Sequence, residues 1–231
     1  AITRLAAAWL GDHASVDGLA EHIGERAGGN PFFVEEAVTS LAETGYLRGT
    51  QAAYRQIRTI EELPIPDTVH ALIAARIDRL PPAHKAWLHA AAVIGADFDP
   101  ALLREVAEDG DDPATALVEL EAAGFLRSEA DGTRLRFLQP LMREVAYDTQ
   151  LEARRARMHA RLAQALEREC GANPVQRSAR SIAEHWTLAG NWAQAGRWNL
   201  HAAMWFAARD ARITAAQLPR ALEHLDRASP S

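Results

Sequence analysis

Helix punctuation constrains this chain more than any other feature of its sequence. Pro31, Pro82, Pro100 and Pro113 each open a segment with apolar residues three and four apart, and they follow Asn30, Pro81, Asp99 and Asp112. Proline pre-sets φ for a first helical turn, and Asn or Asp side chains accept from the orphan N–H groups there, so these positions read as helix starts. The stops are as clear. "LAETGYLRG" at Leu41 to Gly49 and "LEAAGFLRS" at Leu120 to Ser128 share a helical run, a glycine, and then an aromatic–leucine pair. Both read as helix C-caps that tuck the aromatic under the core.

Alanine, leucine, arginine and glutamate dominate between these signals, which favours helix. The expected fold class is therefore mainly α. At 231 residues and 48% hydrophobic, the chain can form one large domain or two to three small ones. A net charge of −6 argues against a general nucleic-acid binder. Cys170 is the one cysteine, so no internal disulfide can form; the chain fits a reducing cytoplasm, and the thiol reads as buried or inert. No apolar run approaches the ~18 residues of a membrane span, and no secretory leader is visible. The opening "AITRLAAAWLG" starts inside a helical pattern, which suggests a segment of a longer protein.

Residues 1–49 read as a small helical unit, with Leu5, Trp9 and Leu10, then Phe33, Ala37, Val38 and Leu41, at helical spacing. Residues 50–66 lose the period and carry two prolines around Ile65; they read as a linker with one short strand at Tyr54 to Ile57. Residues 67–150 hold four helices, the first capped by Asp67 or Thr68, and then "FLRSE" and "RLRFL" around "ADGT". Asp-Gly between β-prone runs signals a hairpin. Helices followed by a β-hairpin wing predict a winged-helix domain. Residues 151–231 are helical to the end, with small residues such as Ala195, Ala202, Ala203 and Ala221 where helices can approach closely. They read as TPR-like helical hairpins without a strict repeat consensus.

Catalytic patterns are missing from the sequence. There is no G-x-x-x-x-G-K-[ST] phosphate loop and no apolar strand ending in paired acids, so this chain alone is not expected to hydrolyse ATP. The nine histidines never form H-E-x-x-H and read as scattered helix-surface residues; no metal site is expected. Glu35-Glu36 and Asp111-Asp112 are adjacent, so their side chains diverge on a helix or sit at its start. DNA binding by the winged helix is not expected either. The segment that would enter a groove, "DDPATALVELEAAG", offers Asp111, Asp112, Glu119 and Glu121 and no cation, whereas a groove reader must neutralise phosphates. Arg127, Arg134 and Arg136 on the wing read as solvated strand residues.

Three blocks carry a resemblance: "RAGGNPFFVEEAVTSLAETGYL", "IPDTVHALIAARIDRLPPAHKAWLHAAAVIGADFDPALL" and "RFLQPLMREVAYDTQLEARRARMHARLAQALE". In this order they resemble the region downstream of the nucleotide-binding core in STAND-type signalling ATPases. These are multidomain, AAA-related bacterial switches found with class III nucleotidyl cyclase domains and LuxR-type transcriptional regulators. The resemblance implies a helical lid over 1–49, a winged helix, and the start of a TPR-like repeat region.

It also implies roles for particular residues. The lid's Gly-x-Pro turn lies against the adenine in such ATPases, so Gly29, Asn30 and Pro31 match nucleotide-lining positions. A winged-helix histidine often senses the ADP phosphates; "FLQPLMREVAY" has Gln139 there, whose amide can donate but carries no charge. ATP or ADP with magnesium would belong to the parent chain, with no cofactor held by this segment. Its partners would be the upstream nucleotide core, an effector domain, and a protein bound by the helical repeats. Two functions stay open: a regulatory segment of a signalling ATPase, or a free-standing helical-repeat scaffold for protein interaction.

Overall fold

A computed structural model describes residues 1–59, 65–107, 113–129, 132–170, 176–207 and 211–228, without the side chains of 176–177 and 205–218. The described residues are mostly helical, with small antiparallel sheets. They form two compact units, Ala1–Leu80 and Pro81–Ser231.

In the first unit, α1 (Ile2–Leu10), α2 (Asp17–Arg26) and α3 (Pro31–Glu43) pack on one another, and α4 (Val69–Arg79) packs on α3. Thr68 caps α4 by accepting from the Ala71 N–H at 3.1 Å. Leu10, Leu19, Ile23, Phe33, Val38 and Ile73 are buried among them. Each such side chain contributes about 1.5–3 kcal/mol when fully removed from water. The stretch read as a linker is partly built into this unit. The Ala52 and Tyr54 N–H groups donate to the Trp9 and Leu10 carbonyls at 2.8 and 2.9 Å, and β2 (Arg55–Gln56) pairs antiparallel with β1 (Leu47–Arg48). The expected strand at Tyr54 to Ile57 is thus present in shorter form. The reason is a long-range partner: the C-terminal carbonyls of α1 and the backbone of Tyr46 and β1 are groups that this stretch satisfies.

The second unit is centred on α5 (Pro82–Ile94), where an unbroken run from Ala86 to Val93 is buried. Around it lie α6 (Pro100–Val106), α7 (Pro113–Ala122) and α8 (Pro140–Asp148). A three-stranded antiparallel sheet of β3 (Asp97–Phe98), β4 (Leu126–Ser128) and β5 (Leu135–Phe137) runs in the order β3-β5-β4. Phe98 and Phe137, both buried, bring their rings to 6.3 Å on its inner side. Arg127 faces Arg136 across β4 and β5, and Arg134 pairs with Asp97 at 2.6 Å; all three arginines are exposed. Asp112 before α7 and Asp131 in the hairpin turn fall outside the described residues. Four further helices pack consecutively: α9 (Glu152–Cys170), α10 (Gln176–Leu188), α11 (Trp192–Ala207) and α12 (Ala211–Ala228). Ala195, Ala202, Ala203 and Ala221 are buried, as expected of small residues at close helix contacts.

The paired "LAETGYLRG" and "LEAAGFLRS" segments have one backbone pattern. The Tyr46 N–H donates to the Leu41 carbonyl and the Gly45 N–H to Ala42; the Phe125 N–H donates to Leu120 and the Gly124 N–H to Glu121. Gly45 at φ 75° and Gly124 at φ 74° supply the left-handed residue that this 6→1 and 5→2 arrangement needs. Phe125 is buried and Tyr46 half-buried, and each leads into a strand. A Cβ at Gly45 meets no atom within 4 Å, so its replacement strains only the backbone. Gly45→Ala and Gly124→Ala are each expected to lower stability by about 1–2 kcal/mol. Gly45→Asn should lose less, because Asn tolerates this region; urea unfolding of the three variants measures it.

Candidate functional site

The Gly28-Gly29-Asn30-Pro31 segment is an exposed turn between α2 and α3. Gly28 and Gly29 have φ 53° and 89°, a left-handed pair that reverses the chain in two residues. The Asn30 Oδ1 accepts from the Phe32 N–H at 3.0 Å, with Pro31 in the first helical turn. Asn30 is therefore the N-cap of α3, and its Nδ2 makes no hydrogen bond among the described residues. Gly29 and Pro31 line an open, mainly apolar cleft of about 410 Å³ together with Ala1, Ile2 and Leu5 of α1. The structure thus brings Gly29 and Pro31 onto one apolar surface, with Asn30 holding the turn that presents them.

Gln139 belongs to the second unit. It stands directly before Pro140 in extended conformation, φ −135° and ψ 140°, as proline demands of the residue preceding it. It occupies the N-cap position of α8, yet its side chain does not cap the helix. The half-buried amide makes no hydrogen bond among the described residues, so its donors are uncommitted.

On α7, Val118 is 68% exposed beside Glu119, which pairs with His84 at 3.2 Å, while Glu121 accepts from the Ser128 hydroxyl. The exposed side of this helix therefore shows an apolar residue and carboxylates; Asp111 and Asp112 fall outside the described residues. Among the described residues no group of three or more His, Cys, Asp or Glu side chains is placed to hold a metal ion. None of their helices is long and apolar enough to cross a membrane.

Two buried polar clusters escaped the sequence reading. In the first unit Arg76 of α4, 2% exposed, donates to Glu36 at 2.6 Å and, through Nη2, to Glu43 at 2.7 Å; both acids are on α3. Glu36 is 4% exposed, and burial pushes its carboxyl above the usual range against the opposing pull of Arg76. Its neighbour Glu35 is half-buried, so the adjacent acids do diverge. Replacing Arg76 strands an acid in an apolar environment. Arg76→Met is expected to cost about 3–5 kcal/mol, and the Glu36→Met/Arg76→Met double variant should recover part of it in thermal denaturation.

The second cluster corrects the reading of the histidines as scattered surface residues. His159 of α9 is 2% exposed; its Nε2 lies 2.8 Å from the Tyr147 hydroxyl and its Nδ1 3.1 Å from Nδ1 of His185. The two imidazoles stack at 5.2 Å, and the Arg155 guanidinium lies 4.6 Å over the Tyr147 ring. Burial, reinforced by His185, Arg155 and Arg143, pushes the His159 pKa down to about 3. Burial also lowers that of His185. Helical spacing marks His159 as inward-facing, between Met158 and Leu162, but its polarity hid that from a reading based on apolar residues.

The sign of the pH effect follows. The unfolded chain binds a proton on His159 below its ordinary value of 6.5, while the folded chain refuses it until about pH 3. Stability should therefore fall with acidification across that window, by up to about 1.4 kcal/mol per pH unit for this group. Urea unfolding at pH 7, 6, 5 and 4 should show the slope, and His159→Phe should flatten it.

Compared with models of protein families, with curated proteins and with solved structures, the chain matches none.

Proposed function

We propose that this chain is the regulatory segment of a multidomain STAND-type signalling ATPase. In this reading residues 1–49 form the lid, residues 67–150 a winged-helix domain after a linker over 50–66, and α9 to α12 the first TPR-like hairpins. The chain couples nucleotide state in an upstream core to an effector domain or protein partner, in a cytoplasmic, bacterial setting. One observation carries the proposal: the left-handed glycine turn is exposed and sets the Pro31 ring into the wall of an apolar cleft. A turn that served only to reverse the chain has no need of an apolar surface beside it, whereas a purine base needs a flat, apolar one.

Two further features support it. The unit around α5 runs helix, strand, two helices, two strands, with sheet order β3-β5-β4, which is the connectivity of a winged helix. Consecutive packing of α9 to α12 is what helical repeats require. Gln139, at the head of α8, has an amide free to donate to a phosphate oxygen, with no positive charge to strengthen the contact. The acidic, partly apolar outer side of α7 favours a protein surface over a DNA groove as its partner.

The test uses the chain joined to its nucleotide-binding core. Gln139→His should raise ADP affinity roughly ten- to a hundredfold, since a charge-assisted hydrogen bond contributes about 1.5–3 kcal/mol. Pro31→Ala should weaken ATP and ADP alike, because both carry the same base. Calorimetry with both nucleotides separates the two effects. An unchanged ADP-to-ATP preference in a folded Gln139→His variant removes Gln139 from the site, and unchanged affinity in Pro31→Ala removes the turn.

A further inference from the structure

In the second unit, α10 and α12 both pack on α11, and a notch of about 340 Å³ opens between these helices. Arg180 and Glu184 stand one turn apart on α10, Arg220 and His224 one turn apart on α12, and Asn199 of α11 completes the lining. Asn199 is only 7% exposed. Its Nδ2 donates to the Ala195 carbonyl at 3.0 Å and approaches the His224 Nδ1 at 3.1 Å, while its Oδ1 makes no hydrogen bond among the described residues. Arg180, Arg220 and Glu184 likewise form no ion pair among the described residues, even though Arg180 and Glu184 are four apart on one helix. Glu223, also at the notch, is neutralised by Arg227 at 2.8 Å. Among the described residues the notch therefore offers two uncommitted guanidinium groups, one uncommitted carboxylate and one nearly buried amide acceptor.

We propose that this notch binds a free α-amino acid, with its carboxylate held by Arg180 and Arg220 and its ammonium by Glu184 and the Asn199 Oδ1. Each part of the ligand answers a feature of the lining. Arginine matches a carboxylate in bidentate fashion, and an ammonium is the donor that a glutamate and an amide oxygen accept from. A phosphate ligand would bring its oxygens against Glu184 and the Asn199 oxygen, acceptor against acceptor. A simple amine would leave both arginines without a counter-charge. The volume lies at the lower end of the roughly 300–1,000 Å³ range of small-molecule pockets, which suits a ligand of this size. Leu188, half-exposed at the notch, gives the amino acid's side chain an apolar contact.

The inference stands apart from the nucleotide reading, since none of its residues belongs to the turn at Pro31 or to Gln139. Titration calorimetry of the 231-residue chain against a panel of α-amino acids tests it. For the tightest binder, the N-acetyl derivative, which lacks the ammonium, and the decarboxylated amine are titrated in parallel. At least one amino acid should bind saturably, and both truncated probes should bind about tenfold more weakly or worse. Arg220→Ala and Glu184→Gln should each reduce affinity by about tenfold, with unchanged circular dichroism and ligand-free melting, because both side chains are exposed. Absence of binding by every amino acid at millimolar concentration overturns the proposal. So does an N-acetyl derivative that binds as tightly as its parent, which would mark a site for peptide C-termini. Undiminished affinity in Arg220→Ala also overturns it.

Discussion

Every α-helix ends with backbone groups that its own hydrogen bonding cannot reach, and a chain built of many short helices has many such ends. The architecture depends on how those ends are closed. Asn30, Thr68 and Asp99 close helix starts with side-chain oxygens. Left-handed glycines close α3, α7 and α10 with one shared pattern; the third is completed by the Asn191 N–H on the Trp186 carbonyl and the Gly190 N–H on Thr187. Because that cap turns the chain within a residue or two, it sets the direction of the next element. After α3 and α7 the next element is a strand, and after α10 it is the antiparallel helix α11.

Once direction is set, buried polar contacts make the helix packing specific. Apolar surfaces alone tolerate many pairings, whereas a buried charge or imidazole has few acceptable positions. Arg76 allows α4 to lie on α3 only where Glu36 and Glu43 meet it. Glu167 of α9 accepts from the indole N–H groups of both Trp186 of α10 and Trp198 of α11, so a single carboxylate ties three consecutive helices. His159 ties α9 to α8 through Tyr147 and to α10 through His185. Whether such contacts add net stability depends on how much desolvation they offset; their contribution to register is independent of that balance.

The same economy of groups bears on function. In the first unit the turn that reverses the chain is also the surface that borders an apolar cleft, with Asn30 spent on capping and Pro31 left facing outward. At the head of α8 the proline starts the helix and holds Gln139 extended, and the Gln139 side chain does not cap. In α10 to α12, Arg180, Glu184 and Arg220 line one notch and form no ion pair among the described residues. Each place leaves polar groups without a partner among the described residues, which is the condition under which a ligand can add contacts without first breaking any.

Local signals were legible in the sequence because they act within a few residues: proline and capping positions at helix starts, glycine at helix stops, and the β-prone runs that became β4 and β5. The glycine–proline turn between α2 and α3 followed from the same kind of signal. What only the tertiary structure decided lies far apart in sequence. β3 is two residues long and has no local signal; it exists because β5 supplies its hydrogen bonds. The stretch after β1 docks on α1, the partner of Arg76 lies 40 residues before it, and the α10–α12 notch joins residues from three helices. His159 read as an ordinary surface group because its chemistry is polar, and nothing in the local sequence marked Glu36 as buried. Only the positions of distant neighbours put them inside, since burial belongs to the packed whole and not to a stretch of chain.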